Sequence, residues 1–539
     1  MRTAHRVTDV VDAETPLLAA GVPLMERASF ALALAVASDL RARRGRVVGA
    51  RIGVLVGGGN NGGDALIAAA HLARRGAAVE IVGVGRAMHE AGAARARAAG
   101  ARFLDADQDA GELAGRLAGC AALLDGITGI GASSGLRGRA LEVVTALRGA
   151  MASRPRGERP WVVAVDVPSG VGVDDGALPE GVLPADRTVT MGTAKPALLL
   201  PPAEVAAGEV TTVALGLDLT GASHAVVRLE AGDLAEEWAV PGPADHKYTR
   251  GVLGIAAGSD TYPGAAVLAT SAAVRAGAGM VRYAGPDAAA AQVLTRHPEV
   301  VRGLGEADQV GRVQAWLLGS GVGAGDTERL AWLERTLTHA VERGIPVVAD
   351  AGALAVLPER LPATVLLTPH AGELAGLLAA RDPRAGWDRA RVEALPVRAL
   401  RRAVDLTGAT VLLKGATTLV AGPSGPVHSQ AEATPWLGTA GAGDVLAGLA
   451  GMVLASRAGD LTGAGADPEL TARLGAVAAS VHGRAARRAA GVEGAAGVEA
   501  SRTRRAPAGG SVGGPITALD VAEALPSVIR DLLDGTLGG

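Results

Sequence analysis

Strand-length apolar runs alternate with helix-length stretches along this chain, and halfway along the pattern starts afresh. In the first half Arg51–Val56 reads as a buried strand, followed by a Gly-rich turn and a helix from about Ala65 to Arg75. Ala78–Val82, Ala121–Leu124, Trp161–Val165 and Thr188–Met191 repeat the strand theme. Buried strands separated by helices of about 10–15 residues imply βαβ units and a largely parallel sheet. The second half places strands at Val252–Ala256, Trp316–Leu318, Val347–Ala349, Val365–Leu367 and Val411–Leu413. Its helices fall near Gly264–Arg275, Thr327–Arg343, Pro396–Leu406 and Val445–Ala455, and Pro396 suits a first helical position. Both halves are α/β, and the first is Rossmann-like with three layers.

With 539 residues the chain exceeds one core, since cores stop growing at roughly 250–300 residues. The polar stretch around Pro241, Gly242 and Pro243 closes the first half, so the boundary falls between about Gly221 and Pro243. We divide the chain into domains 1–225 and 226–539. The segment 489–514 repeats AAGVE and then runs through Ser, Arg, Pro and Gly, which reads as a flexible insertion. An amphipathic helix over Ala518–Leu533 closes the chain. A net charge of −3 gives no general pull toward nucleic acid or anionic membrane. No apolar run reaches the roughly 18 residues of a spanning helix, and no signal peptide is seen. The single cysteine, Cys120, fits a reducing compartment, so a cytoplasmic location is expected.

Of 52 basic residues only three are lysine: Lys195, Lys247 and Lys414. Coding bias toward Arg explains the total but not these three positions, because a compact ammonium and a planar guanidinium differ at a tight site.

Gly57 to Asp64 (GGGNNGGD) follow a strand and open a helix. Glycines let backbone N–H groups approach an anion, and the helix N-terminus adds a favourable dipole. A purely structural turn has the same glycines, but Asn60, Asn61 and Asp64 add oxygen ligands and donors. Two further strand ends carry Asp125-Gly126-Ile127-Thr128-Gly129-Ile130-Gly131 and Asp166-Val167-Pro168-Ser169-Gly170. Each Asp alone suits a cap or turn. Together, at the edge where open α/β sheets bind ligands, the oxygen donors suit a hard cation.

On these three segments, and on Leu24–Ala28, the half over roughly residues 10–220 resembles the NAD(P)H-hydrate epimerase family. Ala65 stands where that family often has Gly, and Gly58 where it varies. The resemblance implies a potassium ion on Asn61, Asp125 and Ser169. It implies contacts of hydrated NADH or NADPH with Asn60, Asn61, Gly62, Gly63 and Asp64. It extends those contacts to Gly129, Ile130, Gly131, Ala132, Ser133, Ser134 and Gly135, and to Asp166. Inversion at C6 of the hydrated ring needs an acid or base, and Asp125 is the sequence's candidate.

In the second half Gly441-Ala442-Gly443-Asp444 precedes an apolar helix, so its amides can form an anion hole and Asp444 can take a proton from an attacking hydroxyl. Lys414-Gly415-Ala416-Thr417-Thr418 follows a strand, as does Thr368-Pro369-His370-Ala371-Gly372-Glu373. His370 taken alone reads equally as a core histidine. With His246-Lys247, Gly258-Ser259 and Tyr262–Ala265, these segments resemble the ADP-dependent NAD(P)H-hydrate dehydratase family over about 240–535, less the insertion. The resemblance implies a ribokinase-like α/β domain, ADP on Lys414, Gly415, Ala416, Thr417, Thr418 and Gly443, and magnesium with the ADP. It implies substrate contacts at Ala265, Gly321, His370 and Asp444, with Asp444 as base for phosphorylation-assisted elimination. Hydrated NADH or NADPH and ADP are the expected partners, and a homo-oligomer is the expected assembly.

A ribokinase-like vitamin kinase fused to a Rossmann-like domain shares G-x-G-D but explains neither the first half nor the segment from Thr368 to Glu373. A non-catalytic binding module in the first half sits poorly with the intact Asn61, Asp125 and Ser169.

Overall fold

The architecture follows from how each half buries its apolar strands. The computed structural model describes residues 1–132, 135–463, 465–492 and 512–536. The chain divides into two units, Thr3–Val226 and Val227–Gly539 with Met1–Arg2.

In the first unit seven parallel strands run in the order Arg102–Phe103, Ala78–Gly83, Arg51–Val56, Ala122–Gly126, Trp161–Val165, Arg187–Met191 and Glu209–Val213. Alternate residues face opposite layers. Ile52, Val54 and Val56 join the core under helices Leu24–Arg44 and Asn60–Arg74, whereas Leu55 joins the core under Ala110–Ala118 and Gly138–Ala152. Each fully buried Leu or Val there contributes about 1.5–3 kcal/mol. The chain leaves Arg51–Val56 toward one sheet edge and later returns to its other side with Ala122–Gly126. The gap between those two strands is the switch point where such sheets open a binding crevice.

In the second unit the order runs Val427–Gln430, Thr418–Ala421, Thr410–Leu413, Val365–Leu367, Val347–Ala349, Ala315–Leu318, Val252–Ala256, Met280–Tyr283 and Val301–Arg302. Strands from Thr410–Leu413 onward are parallel, and the hairpin before them is antiparallel. Helix Ala442–Ser456 is buried along nearly its whole length, in one core with Pro263–Arg275, Leu470–Ala489 and Ala518–Leu533. Residues 493–511 of the expected insertion lie outside the described residues.

Two helix starts differ from the sequence reading. The helix expected from Ala65 begins at Asn60, and the one expected from Val445 begins at Ala442. Asn and Gly compete poorly inside helices, but the first turn's N–H groups lack intrahelical partners anyway, so the penalty is smaller there. The segments read as loops are therefore first helical turns.

Candidate active sites

At the first switch point Gly57 lets two strand ends close up. A β-carbon on it would lie 1.8 Å from Ile127 O, so only glycine fits. Asn61, Asp125, Thr128 and Ser169 then meet in one hydrogen-bonded knot. Asn61 Nδ2 donates to Thr128 O at 2.9 Å, and Ser169 Oγ accepts from Thr128 N at 2.9 Å. Asp125 Oδ2 accepts from Ser169 N at 2.9 Å, and Gly170 N donates to Thr128 Oγ1 at 3.0 Å. Asp125 is wholly buried, and burial raises its carboxyl above the usual range despite its hydrogen bonds from Ser169 and Ile127.

A cleft of about 590 Å³ opens above this knot. It is lined by Asn60, Asn61, Asp64, Gly129, Ile130, Gly131, Ala132 and Asp166 of the expected residues. Gly62, Gly63 and Gly135 do not line it. Gly62 instead allows close approach to Gly57 O, and Gly135 N donates to Gly170 O at 2.8 Å. Ser133 and Ser134 lie outside the described residues. Asp125 also lies off the cleft wall, beneath it. The carboxylates on the wall are Asp64, Asp166 and Glu14. Burial, opposed by a hydrogen bond from Ser29, raises Asp64 to about 7. Glu14 and Lys195 did not stand out as site residues. Glu14 lies in an amphipathic helix with no motif, although the scarcity of lysine had marked Lys195.

In the second unit Lys414 Nζ donates to Asp350 Oδ1 at 2.9 Å and lies 3.6 Å from Glu373 Oε2. Burial pulls Lys414 down, but Asp350 and Glu373 leave it above its ordinary value. Asp350 is a hub between strand ends. Its oxygens also accept from Ser320 Oγ and Thr368 Oγ1, each at 2.8 Å. Gly443 lies against the ammonium, since a β-carbon there would sit 3.6 Å from Lys414 Nζ. Asp444 occupies the next position in the first turn of Ala442–Ser456. Burial, reinforced by Asp350 and opposed by Lys414, raises it to about 6.

His370 caps helix Ala371–Arg381: its ring Nδ1 accepts from Glu373 N at 3.1 Å, and its side chain is more than half exposed. Lys414 N donates to Pro369 O at 2.9 Å, which joins that strand end to the 414 segment. Gly321, at φ 70, faces Ala265, where a β-carbon would come within 2.4 Å of the alanine's. Thr417 is buried, and Lys414 to Thr418 bridge the antiparallel strands Thr410–Leu413 and Thr418–Ala421. The structure thus brings Lys414, Gly443 and Asp444 together, and Ala265 with Gly321. Asp350 was missed, although a lone acid directly after the strand Val347–Ala349 was its signal.

Two α/β units, each with buried carboxylates and a helix N-terminus at the C-terminal strand edge, define a two-domain enzyme acting on nucleotide-like molecules. Family models assign the particulars. Residues 22–197 match "YjeF-related protein N-terminus", and residues 253–506 match "NAD(P)H-hydrate dehydratase". The bifunctional NAD(P)H-hydrate repair enzyme Nnr of Mycobacterium tuberculosis is 42% identical over 466 residues, covering 85% of this chain and 90% of that protein. The Mycobacterium leprae counterpart is 41% identical with the same coverage. The NAD(P)H-hydrate epimerase of Clavibacter michiganensis is 46% identical over 226 residues, 41% of this chain and 94% of that protein. A solved ADP/ATP-dependent NAD(P)H-hydrate dehydratase from Bacillus subtilis, co-crystallized with ATP/Mg2+, is 23% identical, with a TM-score of 0.44. It covers 56% of this chain and 97% of that one. The chain belongs to the family of bifunctional NAD(P)H-hydrate repair enzymes.

Proposed function

We propose that the part up to about residue 225 interconverts the R and S forms of hydrated NADH and NADPH. The part from about 226 then dehydrates the S form, converting ADP to AMP and phosphate. The observation that carries the second activity is the Lys414–Gly443–Asp444 arrangement. It sets a cation and helix-terminal amides, which suit phosphate oxygens, beside a half-buried carboxylate. Asp444 takes the proton of the C6 hydroxyl as that oxygen attacks the β-phosphorus of ADP and AMP leaves. The ring nitrogen expels the phosphate so formed, and loss of a C5 proton restores the dihydronicotinamide. Lys414–Thr418 and Gly443 hold the ADP phosphates. Ala265, Gly321 and His370 are the remaining substrate contacts in this reading.

Magnesium belongs with ADP in this reading, since it is usually bound through substrate phosphates and retained water rather than a protein cage. Among the described residues no three His, Cys, Asp or Glu side chains form such a cage. In the first unit, Asn61, Asp125 and Ser169 form an oxygen-only knot with one carboxylate, which suits a weakly held potassium ion. Asn61, Asp125 and Ser169 would hold that ion, which would supply positive charge beside the cleft. Among the described residues no single helix is long and apolar enough to cross a membrane. A cytoplasmic location, which the single cysteine Cys120 fits, belongs to this reading.

The test uses the separated hydrates. The S form with ADP and Mg2+ should regain dihydronicotinamide absorbance with one AMP released per coenzyme restored, and should not do so when nucleotide is omitted. The R form should exchange with S without nucleotide. Nucleotide-independent dehydration, or no exchange, would contradict the respective half.

A further inference from the structure

One charged group in the first unit belongs neither to the proposed potassium ligands nor to the glycine loop. Lys195 is 1% exposed, which is rare for lysine without a partner. Its ammonium donates to Asp166 Oδ1 at 2.5 Å, Met191 O at 2.7 Å and Thr190 Oγ1 at 3.2 Å. Asp166 Oδ1 also accepts from Met191 N at 2.9 Å and Thr190 Oγ1 at 3.0 Å. Among the described residues, every hydrogen bond that this carboxylate accepts falls on Oδ1. Asp166 lines the cleft, so Oδ2 remains for a ligand. Its backbone sits at φ 66, a left-handed conformation that persists where the surroundings over-determine it.

Two more carboxyls face the same cleft: Asp64 from helix Asn60–Arg74 and Glu14 from helix Val7–Ala19. Burial raises Asp64 to about 7. Ser29 and Lys195 oppose that rise, and Asp166 and Glu14 add to it. Burial likewise raises Glu14, opposed by Lys195 and reinforced by Asp166. Asp125 has no exposed surface from which to reach a ring in the cleft.

We propose that Lys195 is the positioning residue of this cleft: it fixes Asp166 as the base, through the one oxygen left open, and leaves proton delivery to Asp64. This rests on the epimerase reading. Asp166 Oδ2 takes the C6 hydroxyl proton as the C6–N1 bond breaks, and the oxygen's electron pair becomes the aldehyde C=O. The C6–N1 electron pair goes to N1, where Asp64 supplies a proton. Rotation about the C5–C6 bond presents the other aldehyde face. Reclosure returns both protons with C6 inverted, so the sequence is redox-neutral and consumes no co-reactant.

The test measures R-to-S exchange without nucleotide in the full chain, as kcat and KM over a range of pH. Wild-type kcat should fall as pH rises through about 7, because the proton donor is then lost. Lys195→Met should lower kcat about 10²-fold with KM little changed. Removing the positive charge should also shift the alkaline fall to higher pH. Lys195→Arg should keep the fall where it is. A normal kcat in Lys195→Met, or an unmoved alkaline fall, overturns the proposal. If Lys195→Met abolishes the first unit's melting transition, Asp64→Asn decides. It should lower kcat by at least about 10²-fold and abolish the fall near pH 7, and a retained fall overturns the proposal. A wild-type chain that does not exchange the epimers at all would refute the epimerase reading instead.

Discussion

Replacing Asp444 with Asn should inactivate the dehydratase and stabilise its domain. Burial, reinforced by the charge of Asp350 and opposed by Lys414, raises the Asp444 carboxyl from an ordinary 3.8 to about 6. A folded value above the unfolded one means that the native state favours the proton. The carboxyl therefore costs nothing below about pH 4, and its full cost is present above about pH 6. At about 1.4 kcal/mol per pH unit that cost is about 3 kcal/mol at neutral pH. An amide must also leave water, so the net gain for Asn is about 1–2 kcal/mol. Urea unfolding followed by tryptophan fluorescence reads this directly, because five of the six tryptophans lie after Val227. The variant should be about 1–2 kcal/mol less stable than the wild type near pH 4, where only the amide penalty acts, and about 1–2 kcal/mol more stable at pH 7. Its ADP-dependent turnover should fall about 10²–10⁴-fold, with epimer exchange unchanged. A variant that is less stable at pH 7, or a difference independent of pH, would refute the electrostatic reasoning; near-normal turnover would remove Asp444 as base.

Lys414→Arg should raise the KM for ADP and lower turnover, since a guanidinium fork cannot reproduce the ammonium's place between Asp350 and Gly443; steady-state kinetics with ADP check this. Asp350→Asn should lose about 1.5–3 kcal/mol and weaken ADP use, because three donors converge on that carboxylate; melting and ADP titration report both. Gly321→Ala should impair dehydration and spare epimerisation, because the new methyl meets Ala265 at a backbone angle alanine rarely adopts; comparing the two activities in one preparation tests it.

Strands were the most legible elements, because uninterrupted runs such as Val252–Ala256 are buried on both faces and carry no competing period. Helix starts were misplaced at Asn60 and Ala442, where a local loop preference is overridden by the free N–H groups of a first turn and by a ligand-binding edge. Segments with several unusual residues in a row, such as those at 57–64 and 441–444, announced themselves. Asp350 and Lys195 contact partners distant in sequence, Lys414 and Asp166 respectively. No local pattern encodes such pairings. The place of Asp125 beneath the cleft wall rather than on it was equally illegible, because burial at a strand end depends on the loops that fold over it.

The central claim is that two separate sites in one chain complete each other's work. Its most direct measurement is the progress curve of mixed R and S hydrates with ADP and Mg2+. The wild-type chain should restore the whole mixture in one continuous course, with AMP matching coenzyme. Asp125→Ala, which breaks the knot with Ser169, should restore the S fraction quickly and then stall with the R form unconverted. A wild-type curve that stalls with R remaining, or an Asp125→Ala curve that runs to completion at the normal rate, would contradict it.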